Sequence, residues 1–268
     1  MSQKNVILIL FVSLALVPFR AEAIVSFNPA TEEEEIVFVS GERERNIGRN
    51  IDKQIEKRYN LPVDPLINKR IQSIGEKLAE GTDRKNIVYR FKVLAHKEPD
   101  MYNAFAAPGG YVYVFIDLVE ELETDDRIAA VLAHEMGHVE AKHSVKRLQA
   151  NMGITALMLI GTQMQMEKGE YAAANAAIGQ LISAYSRSDE RQADELSVKY
   201  MRVAGFDPNG TVEALSVLKK LRSKGSRLKY FVYKSHPYLS ERMAYLKKYI
   251  NGYTDFDSYI NLVSESDN

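Results

Sequence analysis

Residues 128–139 read IAAVLAHEMGHV, and the rest of this 268-residue sequence is best interpreted outward from them. Apolar residues recur in this stretch at the spacing of a helix that buries one face. Thr124 stands where an N-cap is expected, and the two aspartates after it favour the positive end of a helix. The pattern predicts a buried helix that ends near Gln149.

The same stretch contains two histidines one helical turn apart, His134 and His138, with Glu135 beside the first. At about 3.6 residues per turn their directions differ by about 40°, so both imidazoles project from one face. A motif with three fixed residues also occurs by chance in ordinary helices. Burying these polar groups without a partner is costly, however, which favours a bound zinc ion, one per chain. Glu135 is then the expected base, taking a proton from water that the metal activates.

A catalytic zinc ion usually has three protein ligands, so one more is expected. His143 follows His138 at about 140° round the helix and is rejected as a ligand; we interpret it as a capping or supporting residue. Glu190 lies in a later predicted helix and is the better candidate. Asp194, one turn further on the same face, is placed to accept the free N–H of a ligating histidine.

His236 is the next informative histidine, because it precedes Pro237 and a short predicted helix. A histidine before proline is usually structural. Two functional alternatives remain open: it stabilises the oxyanion of a tetrahedral intermediate, or it occupies the open metal position in a resting state. Arg242, about one turn into that helix, is expected to support the site by pairing with a carboxylate.

Residues 87–94 and 111–116 have the composition of strands, and the segment between them ends in the turn Pro108-Gly-Gly. Small side chains before this turn predict a short strand at a sheet edge with accessible backbone groups. Such a strand would bind an extended peptide by strand addition. A plain hairpin with a wide turn is an equal alternative. The candidate substrate-binding residues are Asn103, Ala104, Phe105 and Ala106.

The first 23 residues differ from the rest. Lys4 precedes an apolar run at residues 6–17, and Ala21-Glu-Ala23 matches a cleavage pattern. This predicts a secretory signal peptide, with an uncleaved anchor as the less favoured alternative, and an exported protein expected in the periplasm. The sequence has no cysteine, which excludes disulfides, thiolate zinc ligands and a lipoprotein.

The overall composition indicates an ordinary globular protein. Hydrophobic residues make up 46% of the sequence and charged residues 26%, with a formal net charge of −1. This charge gives no reason to expect nucleic acid as a partner. Peripheral membrane association and the oligomeric state are left open.

Four motifs together resemble the gluzincin metallopeptidases related to HtpX, BepA and the CAAX prenyl endopeptidases, over residues 41–250. Their order along the chain is also the same. Unlike for some of these relatives, neither membrane helices nor a following helical repeat region are expected from this sequence. The motifs are Asn103-Ala-Phe-Ala with Pro108-Gly-Gly, His134-Glu-Met-Gly-His138-Val, Tyr185-Ser-Arg with Glu190-Arg-Gln-Ala-Asp194, and His236-Pro with Arg242.

The resemblance implies that His134, His138 and Glu190 bind zinc, that Glu135 is the general base and that Asp194 supports a ligand. It also implies that His236 lies near the metal, where in exported relatives it acts as a removable block.

The expected fold is therefore α+β: a mostly helical zincin-type metalloprotease domain with a small sheet next to the H-E-x-x-H helix. Residues 1–23 are the signal peptide, 24–40 a poorly defined lead-in, 41–250 the zinc metallopeptidase domain and 251–268 a polar tail. The expected function is zinc-dependent cleavage of unfolded or misassembled proteins outside the cytoplasm. The alternative is a chaperone-like holdase or assembly factor with a largely latent protease site.

Overall fold

The computed structural model describes residues 23–59, 63–97, 100–161, 168–223 and 235–252. The strands are β1 (Ile24–Asn28), β2 (Glu33–Val37), β3 (Arg90–Leu94), β4 (Ala104–Ala107) and β5 (Tyr111–Phe115). The helices are α1 (Gly41–Arg58), α2 (Pro65–Glu80), α3 (Ile116–Leu122), α4 (Asp125–Glu140), α5 (His143–Ile160), α6 (Lys168–Leu181), α7 (Arg187–Val203), α8 (Gly210–Ser223) and α9 (Leu239–Asn251). The predicted α+β class, mostly helical with a small sheet against α4, is confirmed.

The larger sheet has the strand order β3-β5-β4, with β5 parallel to β3 and antiparallel to β4. The predicted strands are therefore present, although the first begins at Arg90 and not at Ile87. A turn at Gly109 and Gly110 joins β4 to β5, and both glycines have positive φ, 78° and 93°. Glycine adopts this conformation without the steric cost that other residues have.

Side chains of β5 alternate between two apolar cores, because successive residues of a strand point to opposite faces. Val112 and Val114 face a core built with α2, α4, α7, α8 and α9. Tyr111, Tyr113 and Phe115 face a second core built with α1, α5 and α6. The sheet therefore separates the two cores, and α4 packs on its first face.

Helix α4 begins as the sequence predicts. Thr124 is its N-cap, and its side chain accepts a hydrogen bond from the backbone N–H of Arg127. Every residue from 128 to 140 is buried, so the polar groups on this helix need internal partners.

The end of α4 differs from the prediction. The helix stops at Glu140, not near Gln149, because Lys142 adopts a left-handed conformation with φ 54° and a new helix begins at His143. The fully buried carboxylate of Glu140 accepts hydrogen bonds, including one of 2.6 Å from the Tyr89 hydroxyl, and these contacts fix the end of the helix.

One further expectation was wrong. Residues 24–40, predicted as a poorly defined lead-in, contain the antiparallel hairpin of β1 and β2. The last helix has Tyr238 at its N-cap position, and the buried Ser240 hydroxyl accepts a hydrogen bond from Lys219. The predicted signal peptide up to residue 22 and the tail from 253 lie outside the described residues. Within the described ranges, no helix is both long and apolar enough to cross a membrane.

Candidate metal centre

Three parts of the chain place nitrogen and oxygen donors around one point. α4 contributes His134 and His138, α7 contributes Glu190, and the segment before α9 contributes His236. His134 Nε2 lies 3.2 Å from both His138 Nε2 and His236 Nδ1. Glu190 Oε1 lies 3.0 Å from His236 Nδ1 and 3.5 Å from His138 Nε2.

These separations fit the ligands of a single metal ion. Ligands at about 2.0–2.1 Å from a tetrahedral zinc ion stand about 3.3–3.4 Å apart. The four donor atoms all lie within 4.8 Å of one another, and all four residues are buried. Imidazole and carboxylate donors suit zinc, and the residues present therefore fit such an ion.

A buried ion-pair network orients His134. Its Nδ1 lies 2.9 Å from Asp194 Oδ1, which leaves its Nε2 facing the centre. Arg242 holds Asp194 through two hydrogen bonds of 2.9 and 2.6 Å, and its Nη1 lies 2.6 Å from Glu190 Oε2. The Arg242 guanidinium thus contacts the carboxylates of both Glu190 and Asp194. These two residues lie on one face of α7, as their four-residue spacing predicts.

His138 is held differently, by residues whose contacts the sequence did not reveal. The ring of Tyr185 stacks on the His138 ring with centroids 3.8 Å apart, and the guanidinium of Arg147 lies over the Tyr185 ring. His143 Nδ1 lies 2.9 Å from His138 Nδ1. Because a new helix begins at His143, its direction does not follow from extending α4. The Tyr185-Ser-Arg motif was the one sequence signal that marked Tyr185.

Burial and neighbouring charges act on these groups in opposite directions. Burial lowers the pKa of His138 well below its usual value, which favours the neutral imidazole that a metal requires. Burial would raise the pKa of Glu190, but Arg242 and His236, together with hydrogen bonds from His134 and His138, outweigh burial and hold that pKa well below its usual value. Burial and Arg242 lower the pKa of His134, yet hydrogen bonds to Asp194 and Glu190 raise it to about 9.

Glu135 lies at the edge of this cluster and is 1% exposed. Its Oε1 is 3.3 Å from His236 Nε2, whereas its Oε2 has no hydrogen-bond partner among the described residues. A buried carboxylate oxygen without a partner is costly, and such groups occur where a ligand or reacting molecule binds. The carboxylate is therefore positioned to accept a proton beside the centre.

Two features lie next to the centre. β4 is an edge strand, as expected, but Asn103 and all of its residues are buried, and Ser144 Oγ donates a 3.2 Å hydrogen bond to the Ala106 carbonyl. The alternative, a plain hairpin with a wide turn, is wrong, because β3 runs parallel to β5 and residues 104–107 form a separate strand paired with β5. Beside His134 and Glu135, α4 and α8 form an apolar crevice lined by Ala130, Val131, Ala214, Leu215 and Leu218.

The H-E-x-x-H helix, the carboxylate from a second helix and the adjacent glutamate together define a metallopeptidase of the gluzincin class. Comparison with known families agrees with this class. The model of peptidase family M48 matches residues 65–250, so the chain belongs to this family of metallopeptidases.

Similar proteins include a putative beta-barrel assembly-enhancing protease of Vibrio cholerae, which is 30% identical over 164 residues. The aligned part is 57% of this chain and 33% of that protein, so the match spans only a third of the relative's length. Metalloprotease LoiP of Escherichia coli is 28% identical, with 69% of this chain and 71% of LoiP covered. Mitochondrial metalloendopeptidase OMA1 of Saccharomyces cerevisiae is 26% identical, with 83% and 68% covered.

Proposed function

We propose that this metallopeptidase is a zinc-dependent endopeptidase that cleaves unfolded or misassembled proteins outside the cytoplasm. His134, His138 and Glu190 bind the zinc ion, and Glu135 is the general base. The single observation that carries the proposal is the cluster of donor atoms 3.0–3.5 Å apart with the partnerless Glu135 Oε2 beside it.

When bound, zinc supplies a Lewis acid that polarises the scissile carbonyl and lowers the pKa of water to about 7. Glu135 accepts the proton of the attacking water and delivers it to the leaving amine. Asp194 fixes the tautomer of His134 by accepting its Nδ1–H, and Arg242 keeps the carboxylates of Glu190 and Asp194 ionised and in place.

Substrate selection follows from the surroundings of the centre. The edge of β4 opposite β5 binds the backbone of an extended chain at residues 103–106 once Ser144 is displaced from the Ala106 carbonyl. The crevice beside Glu135 accepts an apolar side chain next to the scissile bond. Unfolded chains offer both an extended backbone and exposed apolar side chains, whereas tightly folded proteins offer neither.

His236 acts as a removable block in this scheme. Its Nδ1 occupies a place among the metal donors, and its Nε2 contacts the carboxylate of Glu135. The same residue thus fills the position that substrate needs and contacts the base. Displacement of His236 would free both, and the protein is accordingly a mostly latent protease at rest.

The compartment is inferred from the first 23 residues, whose pattern favours export to the periplasm. The beta-barrel assembly-enhancing proteases among the relatives support, by their name, a protease role connected with protein assembly, whereas the name of metalloprotease LoiP supports protease activity alone. Because the relative OMA1 is mitochondrial, similarity to these proteins does not by itself determine the compartment. Detection of a mature chain beginning near Ile24 in the periplasmic fraction would support export, and a chain retaining residues 1–23 in the cytoplasm would contradict it.

Proteolysis is tested with the Glu135→Gln variant and a fluorescently labelled unfolded protein. We expect loss of cleavage with zinc content unchanged, because the amide cannot accept the proton. Glu120→Gln, at an exposed position of α3, is the matched control and should cleave normally. Full turnover by zinc-replete Glu135→Gln would reject the role given to Glu135.

The second candidate, a holdase with a latent site, is favoured by one observation: His236 occupies the centre at rest. The same variant separates the two functions in a client-aggregation assay. Protection retained by Glu135→Gln would indicate chaperone activity independent of cleavage, and protection lost with cleavage would indicate a protease alone.

A further inference from the structure

We propose that His143, Gln192 and Asn28 form a hydrogen-bonded relay that fixes the tautomer and orientation of His138. The relay makes the hairpin of β1 and β2 a positioning element of the metal centre. This inference rests on the proposed role of His138 as a zinc ligand and extends it to residues on three other elements, α5, α7 and β1.

The first link joins two imidazoles. His138 Nε2 faces the other donors at the centre, while its Nδ1 lies 2.9 Å from His143 Nδ1. A metal-binding nitrogen cannot carry a proton, so the proton of neutral His138 resides on Nδ1. His138 Nδ1–H therefore donates to His143 Nδ1, which must be the acceptor.

The second link joins His143 to α7. Because its Nδ1 accepts, His143 carries its proton on Nε2 and must donate from there. Gln192 Oε1 stands 3.0 Å from this nitrogen, and Asp189 Oδ1 is a second, longer contact at 3.5 Å. Both facing atoms are acceptors, as the assigned tautomer requires. The amide nitrogen of Gln192 points away and donates to Ser188 Oγ at 3.4 Å.

The third link joins α7 to the hairpin. Asn28 Nδ2 donates to Gln192 Oε1 at 3.3 Å and to Glu35 Oε1 at 2.8 Å. The Asn28 side chain is 2% exposed, and its Oδ1 accepts from the backbone of Ala30, so the amide orientation is fixed. Glu35 also pairs with Lys146 of α5, which holds the hairpin beside the helix that begins at His143.

Only one direction of proton donation is compatible with metal binding at His138. In the reverse direction His143 would donate to His138 Nδ1, and neutral His138 would then carry its proton on Nε2, the metal-facing atom. Gln192 excludes this reversal by offering an acceptor to His143 Nε2. The residue thus acts on the metal through two histidines, without touching it, and is a positioning residue.

Zinc affinity of the purified full chain, measured by competition with a chromophoric chelator, tests the relay. Replacing a partner of a metal ligand typically weakens metal affinity by about 10–100-fold. We expect Gln192→Leu to weaken zinc binding by about tenfold, because Leu offers no acceptor. Gln192→Glu keeps the acceptor and should bind zinc at least as tightly as the parent. Gln72→Leu, a half-buried helical glutamine bonded to Glu76, is the matched control.

Histidine ¹⁵N NMR of the zinc-loaded protein gives a readout that general destabilisation does not change. The relay requires Nδ1–H at His138 and Nε2–H at His143 in the parent and in Gln192→Glu. A mixture of His143 tautomers is expected in Gln192→Leu. Asn28→Ala should weaken zinc binding in the same direction, with a smaller effect, because it leaves Gln192 Oε1 in place.

An unchanged zinc affinity in a folded Gln192→Leu protein would overturn the relay, as would Nε2–H at His138 in the zinc-loaded parent. These results leave the proposed protease function intact if the parent still binds zinc and cleaves. A parent that shows the relay effects but never cleaves would instead reject the protease function. A parent without zinc affinity would overturn both.

Discussion

Gly137 of α4 lies directly against the backbone of Ala193 in α7. A Cβ atom added to the glycine would stand 2.8 Å from the Ala193 carbonyl oxygen and 2.9 Å from its Cα. This contact sits between the helix that carries His134 and His138 and the helix that carries Glu190. The absence of a side chain at position 137 therefore sets how closely the two sets of donors approach.

The first prediction follows from this approach. Gly137→Ala must push α7 away, because the atoms it meets are backbone and cannot rotate aside. Overpacking of this kind typically costs about 1–3 kcal/mol. We expect lower thermal stability and weaker zinc affinity together. Gly179→Ala in α6, where an added Cβ meets nothing within 4 Å, should leave both essentially unchanged. Normal zinc affinity in Gly137→Ala would contradict the link between helix approach and the centre.

Arg242 is expected to contribute most to stability when no metal is bound. Arg242→Met leaves the buried carboxylates of Asp194 and Glu190 without their cation, and breaking a buried pair costs about 3–5 kcal/mol. Saturating zinc should recover part of this loss, because the ion supplies positive charge beside Glu190. Urea unfolding with and without zinc measures both values. Arg49→Met, at an exposed position of α1, is the control. An equal loss of stability in this control would contradict the contribution expected of Arg242.

Removal of His236 is expected to increase cleavage. His236→Ala frees the position among the metal donors and the carboxylate of Glu135, while His134, His138 and Glu190 remain to bind zinc. The initial rate on an unfolded substrate, normalised to bound zinc, should exceed that of the parent. A lower rate at equal zinc content would assign His236 to oxyanion stabilisation and not to a block.

Metal removal should lower the unfolding temperature. A ligand that binds only the folded state stabilises it by about 4 kcal/mol when its free concentration is a thousandfold above Kd. We expect a chelator to lower the melting temperature and zinc to restore it, in the parent and in Glu135→Gln alike. A melting temperature indifferent to both would show that no ion is bound to the folded chain.

Local helical periodicity accounts for what the sequence predicts well. The one-turn spacing of His134 and His138, and of Glu190 and Asp194, fixes the face on which each pair lies, whatever the rest of the fold does. The cap at Thr124 is equally local. These features depend on neighbouring residues alone, and the structure has them where the sequence placed them.

The remaining features depend on contacts between distant parts of the chain. The break at Lys142 turns His143 back toward His138, and a continuous helix to Gln149 would have pointed it elsewhere. The importance of Gly137 appears only once α7 lies against it. The hairpin at residues 24–37 likewise shows its relation to the centre only through Asn28 and Gln192.

His134, His138 and Glu190 should converge on one zinc ion. Elemental analysis of the desalted protein, comparing the parent with Glu190→Ala, measures this directly. We expect one zinc per chain in the parent and a large loss in the variant. A parent without bound metal after zinc loading, or a variant with an undiminished zinc content, would contradict it.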